Sequence, residues 1–126
     1  MKGSLDDLQP AFRARVEKMI AHVQSLGDTV TIVWGYRSTA EQTILWNNRA
    51  SNPNPVARPG FSPHEAGLAV DLHFDGSVSR SAVGHAAIDF GLRWGGGFQH
   101  PDPPHFEWPG FIHGQPAAGQ KAVEEG

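Results

Sequence analysis

Two histidines and two aspartates in this chain sit at spacings that suit a hydrolytic metal centre. His64 and Asp71 belong to the run Ser62-Pro63-His64-Glu65-Ala66-Gly67-Leu68-Ala69-Val70-Asp71. Some thirty residues later, Asp102-Pro103-Pro104-His105-Phe106-Glu107 adds another imidazole and another carboxylate. His64, Asp71 and His105 could hold one zinc ion through three protein ligands and leave a fourth position open. That is the arrangement of a catalytic zinc, because a structural zinc is closed by four ligands. Asp102, three residues before His105, suits a general base that takes a proton from water. The chemistry these residues imply is zinc-assisted hydrolysis.

Each candidate has a plainer reading. An aspartate among Leu68, Val70, Leu72 and Phe74 is costly to bury unless it is paired or bound to a cation, which raises Asp71 above an ordinary surface acid. In one regular strand, an odd separation would place His64 and Asp71 on opposite faces, so the site requires a turn near Ala66-Gly67. Two prolines stiffen the approach to His105 and exclude a helix. In a polyproline-like path Asp102 and His105 face the same side but stand roughly 9 Å apart unless the chain bends. Taken alone, Asp102 is as much a turn residue as a base. His73 shares a strand face with Asp71 and is the main rival ligand, whereas His22, His85, His100 and His113 read as surface or packing residues. Arg37 is either half of a surface ion pair or a clamp for a substrate carboxylate or carbonyl.

The elements that must position these groups are legible in outline. Ser4, Asp6, Asp7 and Pro10 suggest a helix start, and Phe12, Val16, Met19, Ile20, Val23 and Leu26 recur at three- and four-residue steps, predicting a helix from about Pro10 to Leu26 that Gly27 ends. Residues 29–34 alternate polar and β-branched or aromatic types, predicting a strand that buries Val30, Ile32 and Trp34 on one side. Ser38 with Glu41 forms a capping box, so a helix should run from about Thr39 to Arg49 with Ile44 and Leu45 facing inward. Pro53, Pro55 and Pro59 mark an irregular loop. Leu68, Val70, Leu72 and Phe74 form one face of a strand whose other face is the floor of a cleft. Asp75-Gly76 is a turn, and Ala82 to Phe90 a further helix ending at Gly91. Gly95, Gly96 and Gly97 allow close backbone approach. Pro104 to Trp108 is short and extended, with His105 and Glu107 on one side. Beyond His113 there is little to bury, so the sequence predicts one domain over residues 1–113 and a disordered tail over 114–126.

Composition sets the outer bounds. At 126 residues and 39% hydrophobic content the chain suits one compact domain. It has no cysteine, so neither disulfides nor thiolate ligands contribute, and any transition metal must rely on His, Asp and Glu. A net charge of -3 without a Lys/Arg cluster argues against nucleic acid as a partner. No signal-peptide or membrane-spanning run is visible, so the expectation is a monomer made in the cytoplasm.

Gly35-Tyr36-Arg37-Ser38, Gln42, the "SPHEAGLAVD" run, Trp94-Gly95-Gly96 and "DPPHFEW" form an ordered set that resembles the zinc D-alanyl-D-alanine carboxypeptidase family, above all its L-alanyl-D-glutamate endopeptidase branch, which includes phage endolysins. The resemblance runs from about Leu8 to Trp108. It implies an α+β fold: a small antiparallel sheet flanked by about three helices, with the zinc in a cleft on the sheet. It further implies zinc on His64, Asp71 and His105, Asp102 as base and Arg37 as the substrate-side cation. Ser38, Gln42 and Ser62 are carried along as substrate-binding candidates. The chain departs from the endopeptidase pattern at Gly97, where many members have an aspartate, and in its proline-rich loop before Phe61. The expected partner is a peptidoglycan stem peptide met at the cell wall, reached by holin-type release or through a removed signal. Two alternatives stay open: a D-alanyl-D-alanine carboxypeptidase or dipeptidase, and a non-catalytic zinc-containing peptide- or cell-wall-binding module.

Overall fold

The computed structural model describes residues 3–123. The apolar stripe of the first segment becomes helix α1 (Pro10–Ser25), with Phe12, Val16, Met19 and Val23 buried. Gln9 is its N-cap, so Asp6 and Asp7 lie in the turn before the helix rather than at its dipole end. Leu26, expected on the buried face, is 55% exposed, because the helix has ended there and the chain leaves through Gly27 at φ 103°.

Four strands, β1 (Val30–Trp34), β2 (Ala69–Phe74), β3 (Arg93–Trp94) and β4 (His105–Glu107), form one antiparallel sheet in the order β1-β2-β4-β3. Val70, Leu72 and Phe106 on one face join α1 and helix α3 (Arg80–Asp89) in a core that includes Met19, Val83, Ala87 and Leu92. The fold is therefore α+β, as expected. Among the described residues no helix is long and apolar enough to cross a membrane.

Two expectations fail locally, each for an identifiable reason. Ile32 stands opposite Leu72 on the core side, but the register then slips and Trp34 stands opposite Asp71. This bulge turns Trp34 away from the core face that Val30 and Ile32 share, onto the face that carries Asp71. In helix α2 (Thr39–Asn47) the capping box of Ser38 and Glu41 forms as read. Ile44, however, is 62% exposed and Leu45 only partly buried, while Gln42 is fully buried. The inward face of α2 is polar because its task is to hold Arg37 and the proline-rich loop, not to extend the core.

Residues 114–123 also differ from the expected disordered tail over 114–126, whose last three residues lie outside the described residues. Ala117 is 2% exposed and donates its N–H to Gly60 O, and Gln9 ties the stretch down through Gln120 O and the N–H of Ala122. A backbone bond to the Gly60 loop and two bonds to the side chain of Gln9, just before the first helix, anchor a segment whose composition has little to bury.

Candidate active site

The turn needed between His64 and Asp71 is present. Pro63–Ala66 is a short 3-10 helix, and Gly67 closes it at φ 70°, a left-handed conformation that glycine adopts without strain. A Cβ on Gly67 would also come within 2.8 Å of Asp7 O. Ser62 Oγ accepts the N–H of His64, and Glu65 accepts from Ser62 and Gly60, so the loop holding His64 is braced from both ends. β2 then brings Asp71 directly opposite His105 on β4.

The approach to His105 bends rather than running straight. Asp102 N–H donates to Gly95 O at 2.9 Å and His105 N–H to Asp102 O at 3.0 Å, closing a turn over the two prolines. Asp102 Oδ2 consequently lies 3.9 Å from His105 Nδ1. Gly95 has to be glycine, since a Cβ there would meet Asp102 O at 2.4 Å.

His64 Nε2 is 3.3 Å from Asp71 Oδ1, and His105 Nδ1 is 3.1 Å from that same oxygen. Among the described residues these three side chains form the one cluster of histidine and carboxylate donors that could hold a metal ion, their donor atoms all within 4.8 Å of one another. A tetrahedral zinc with ligand bonds near 2.0–2.1 Å separates neighbouring donors by roughly 3.3 Å, so the set fits. The outer ring nitrogens are committed as such a site requires. His64 Nδ1 faces Gly35 O at 2.8 Å and must carry the proton there, which leaves Nε2 as the donor. His105 Nε2 meets Glu107 Oε1 at 2.7 Å, which leaves Nδ1. His73, the rival, lies exposed near the far end of β2, opposite Thr31, and is not among the clustered donors.

The charges are arranged around Asp71. Burial raises the pKa of its carboxyl, but His64 and His105 outweigh that and hold it well below the usual range. Burial pushes His64 down. Burial also disfavours the charged form of His105, yet hydrogen bonds from its ring to Asp71 and Glu107 raise its pKa to about 10. The two rings lie 5.3 Å apart, and of the two it is His105 that faces two carboxylates. Asp102 is shifted the other way: burial, with Asp71 and Glu107 nearby, raises its pKa against the pull of His105 and Arg37.

Arg37 is a buried residue, not half of a surface ion pair. It donates to Asp71 Oδ2 at 3.0 Å and to Gln42 Oε1 at 3.1 Å, and its guanidinium lies over Trp34 at 4.7 Å. Burial lowers its pKa while Asp71 opposes that shift. Its Nε is buried with no hydrogen-bond partner. The bulge in β1 is thus what gives Arg37 an aromatic platform on the site face.

The side chains of the three remaining substrate-binding candidates are each engaged in hydrogen bonds within the protein. Ser38 Oγ accepts the N–H of Glu41 as a helix cap, and Ser62 Oγ caps the His64 loop at 2% exposure. Gln42, fully buried, bridges Arg37 to Ala57 O. Sequence reasoning placed Glu107 on the side of His105 but gave it no part, and set His113 aside as surface or packing. Glu107 is completely buried and bonds His105, Arg93 and His113, the last at 2.6 Å. The signal that could have found it is the two-residue spacing from His105 on a strand.

Comparison with known proteins agrees with this architecture. The family model for VanY-type D-alanyl-D-alanine carboxypeptidases matches residues 6–87. The bifunctional D-Ala-D-Ala dipeptidase and carboxypeptidase VanXYC of Enterococcus gallinarum is 29% identical over 90% of this chain and 73% of its own. The peptidoglycan L-alanyl-D-glutamate endopeptidase CwlK of Bacillus subtilis is 30% identical over 80% of this chain and 73% of its own. Among solved structures, the D,D-pentapeptidase VanY with Zn(II) superposes with a TM-score of 0.66 at 20% identity, covering 82% of this chain and 74% of that one. The LdcB LD-carboxypeptidase does so with a TM-score of 0.66 at 22% identity, covering 80% of this chain, which spans only 58% of LdcB. With the family match running through the loop of His64 and the strand of Asp71, this chain belongs to the D-alanyl-D-alanine carboxypeptidase family.

Proposed function

We propose that the protein is a zinc-dependent peptidase that hydrolyses peptidoglycan stem peptides, with an L-alanyl-D-glutamate bond as its target. The observation that carries this reading is the convergence of His64, Asp71 and His105 on one point, with a base of raised pKa, Asp102, and a buried arginine beside it. Zinc held by His64 Nε2, Asp71 and His105 Nδ1 would polarise the scissile carbonyl and make water a nucleophile near neutral pH. Asp102, which lies close to the donors without being one of them, would accept the proton from that water and pass it to the leaving amine. Arg37 would steady the substrate carbonyl.

The likeness to CwlK supports the endopeptidase reading, whereas the likeness to VanXYC favours carboxy-terminal D-alanine removal. Digestion of purified peptidoglycan with mass spectrometry of the fragments separates them. Cleavage between L-alanine and D-glutamate is expected; release of D-alanine alone would establish the carboxypeptidase reading, and an intact sacculus would leave a binding module.

Two further results are expected. Arg37→Ala should fold and bind zinc yet lose about tenfold or more in kcat/KM on stem peptides, and wild-type turnover would return Arg37 to a structural role. Zinc affinity should fall as pH is lowered through the neutral range. His105 carries a proton in the metal-free protein up to about pH 10, and zinc must displace it. Metal titrations should show proton release on binding, and pH-independent affinity from pH 6 to 9 would contradict the assignment of His105 Nδ1 as a ligand.

A further inference from the structure

We propose that Glu107 is a positioning residue for His105, held in place by Arg93 on one side and by His113 from the carboxy-terminal segment on the other. The inference rests on the zinc reading above and adds to it a set of residues that touch neither the metal nor the substrate. His105 and Glu107 are two residues apart on β4 and so project from one face of the sheet. Glu107 has no solvent exposure, and a carboxylate in that position is tolerated only if its charge is met. Three groups meet it: His105 Nε2 bonds Oε1 at 2.7 Å, while Arg93 at 2.9 Å and His113 Nε2 at 2.6 Å bond Oε2.

The sheet register explains how the group is assembled. Arg93 on β3 stands directly opposite Glu107, and on the other side Glu107 faces Ala69, whose small side chain leaves room for the carboxylate. His113 is carried back over the sheet by the turn after Trp108 and is wedged edge-on between Phe98 at 6.0 Å and Phe111 at 5.1 Å. One carboxylate oxygen is thereby anchored by two donors while the other is presented to His105 alone. An oxygen fixed in this way makes Nε2 the protonated ring nitrogen and turns Nδ1 towards Asp71 and His64. The metal-facing atom of His105 is thus selected by residues from β3, β4 and the carboxy-terminal segment together.

The alternative is that Glu107 only stabilises the sheet through its ion pair with Arg93. That role would lower the melting temperature without touching the metal site. The test uses the full chain with Glu107→Ala, Glu107→Gln and His113→Gln, folding being checked by circular dichroism. Zinc affinity is measured by competition with a chelating dye, and the His105 ring nitrogens are followed by 15N NMR in the zinc-loaded protein. Glu107→Ala is expected to weaken zinc binding by about 10- to 100-fold, the range for losing such an outer partner. Glu107→Gln, which keeps an acceptor oxygen, should restore part of that loss, and His113→Gln should weaken binding less than Glu107→Ala. In the zinc-loaded variants the His105 Nε2–H proton, no longer held by a fixed carboxylate, should move upfield and exchange faster with water. If Glu107→Ala does not fold, Glu107→Gln decides by the same two readouts. Folded variants with parental zinc affinity and an unchanged His105 spectrum would overturn the proposal while leaving the zinc site intact. A parent protein that takes up no zinc would remove both readings.

Discussion

Exchanging Asp102 for asparagine should leave zinc binding and the fold in place and slow stem-peptide hydrolysis by about 10²-fold or more, the usual scale for losing a general base. The amide keeps the shape of the side chain. The turn that carries it is closed by main-chain bonds, from Asp102 N–H to Gly95 O and from His105 N–H to Asp102 O, which the exchange does not touch. The three donor residues are also unaltered. The pH profile should report the same group. Burial raises the pKa of Asp102, so the deprotonated base is lost as pH falls through a range above that of an ordinary aspartate. Under saturating zinc, wild-type activity should drop along that limb, and in Asp102→Asn the part of the limb that belongs to Asp102 should be lost from what activity remains. Equal rates in the two proteins would make Asp102 a turn residue and nothing more.

The second large effect should come from His64→Ala, which is expected to lose zinc and all measurable hydrolysis. His64 is 3% exposed, and its Nε2 is one of three proposed donors. The exchange also leaves Gly35 O without the ring N–H it now accepts, a loss of about 1–3 kcal/mol in a buried setting. A lowered melting temperature should therefore accompany the loss of metal, and added zinc should not restore activity. Metal analysis of His64→Ala and His105→Ala beside the parent checks the set. Full zinc retention in either would require a different ligand.

Part of this centre could be read because its residues obey local rules. A seven-residue separation with Gly67 inside it calls for a turn, and Gly67 at φ 70° makes that turn. Asp71 was conspicuous because a carboxylate between Val70 and Leu72 needs a counter-charge. The hydrogen-bond partners of Ser38, Ser62 and Gln42 could not be read in this way. Ser38, Ser62 and Gln42 have side chains that serve equally as caps, as bridges or as substrate contacts, and only their partners decide which. Their partners are Glu41 N–H, His64 N–H, and Arg37 with Ala57 O.

What the sequence determined by itself is what depends on near neighbours. The face of α1, the cap of α2, the alternation in β2 and the candidate donors His64, Asp71 and His105 all rest on periodicity, capping and the cost of burying a lone charge. The tertiary structure decided what depends on residues distant in the chain. A one-residue slip in the β1–β2 register sent Trp34 to the site face beneath Arg37. Pairing of β3 with β4 set Arg93 against Glu107, and the returning carboxy-terminal segment brought His113 to the same carboxylate. Register and chain return leave no periodic trace in the sequence, because each depends on which strand lies alongside and not on what stands next in the chain.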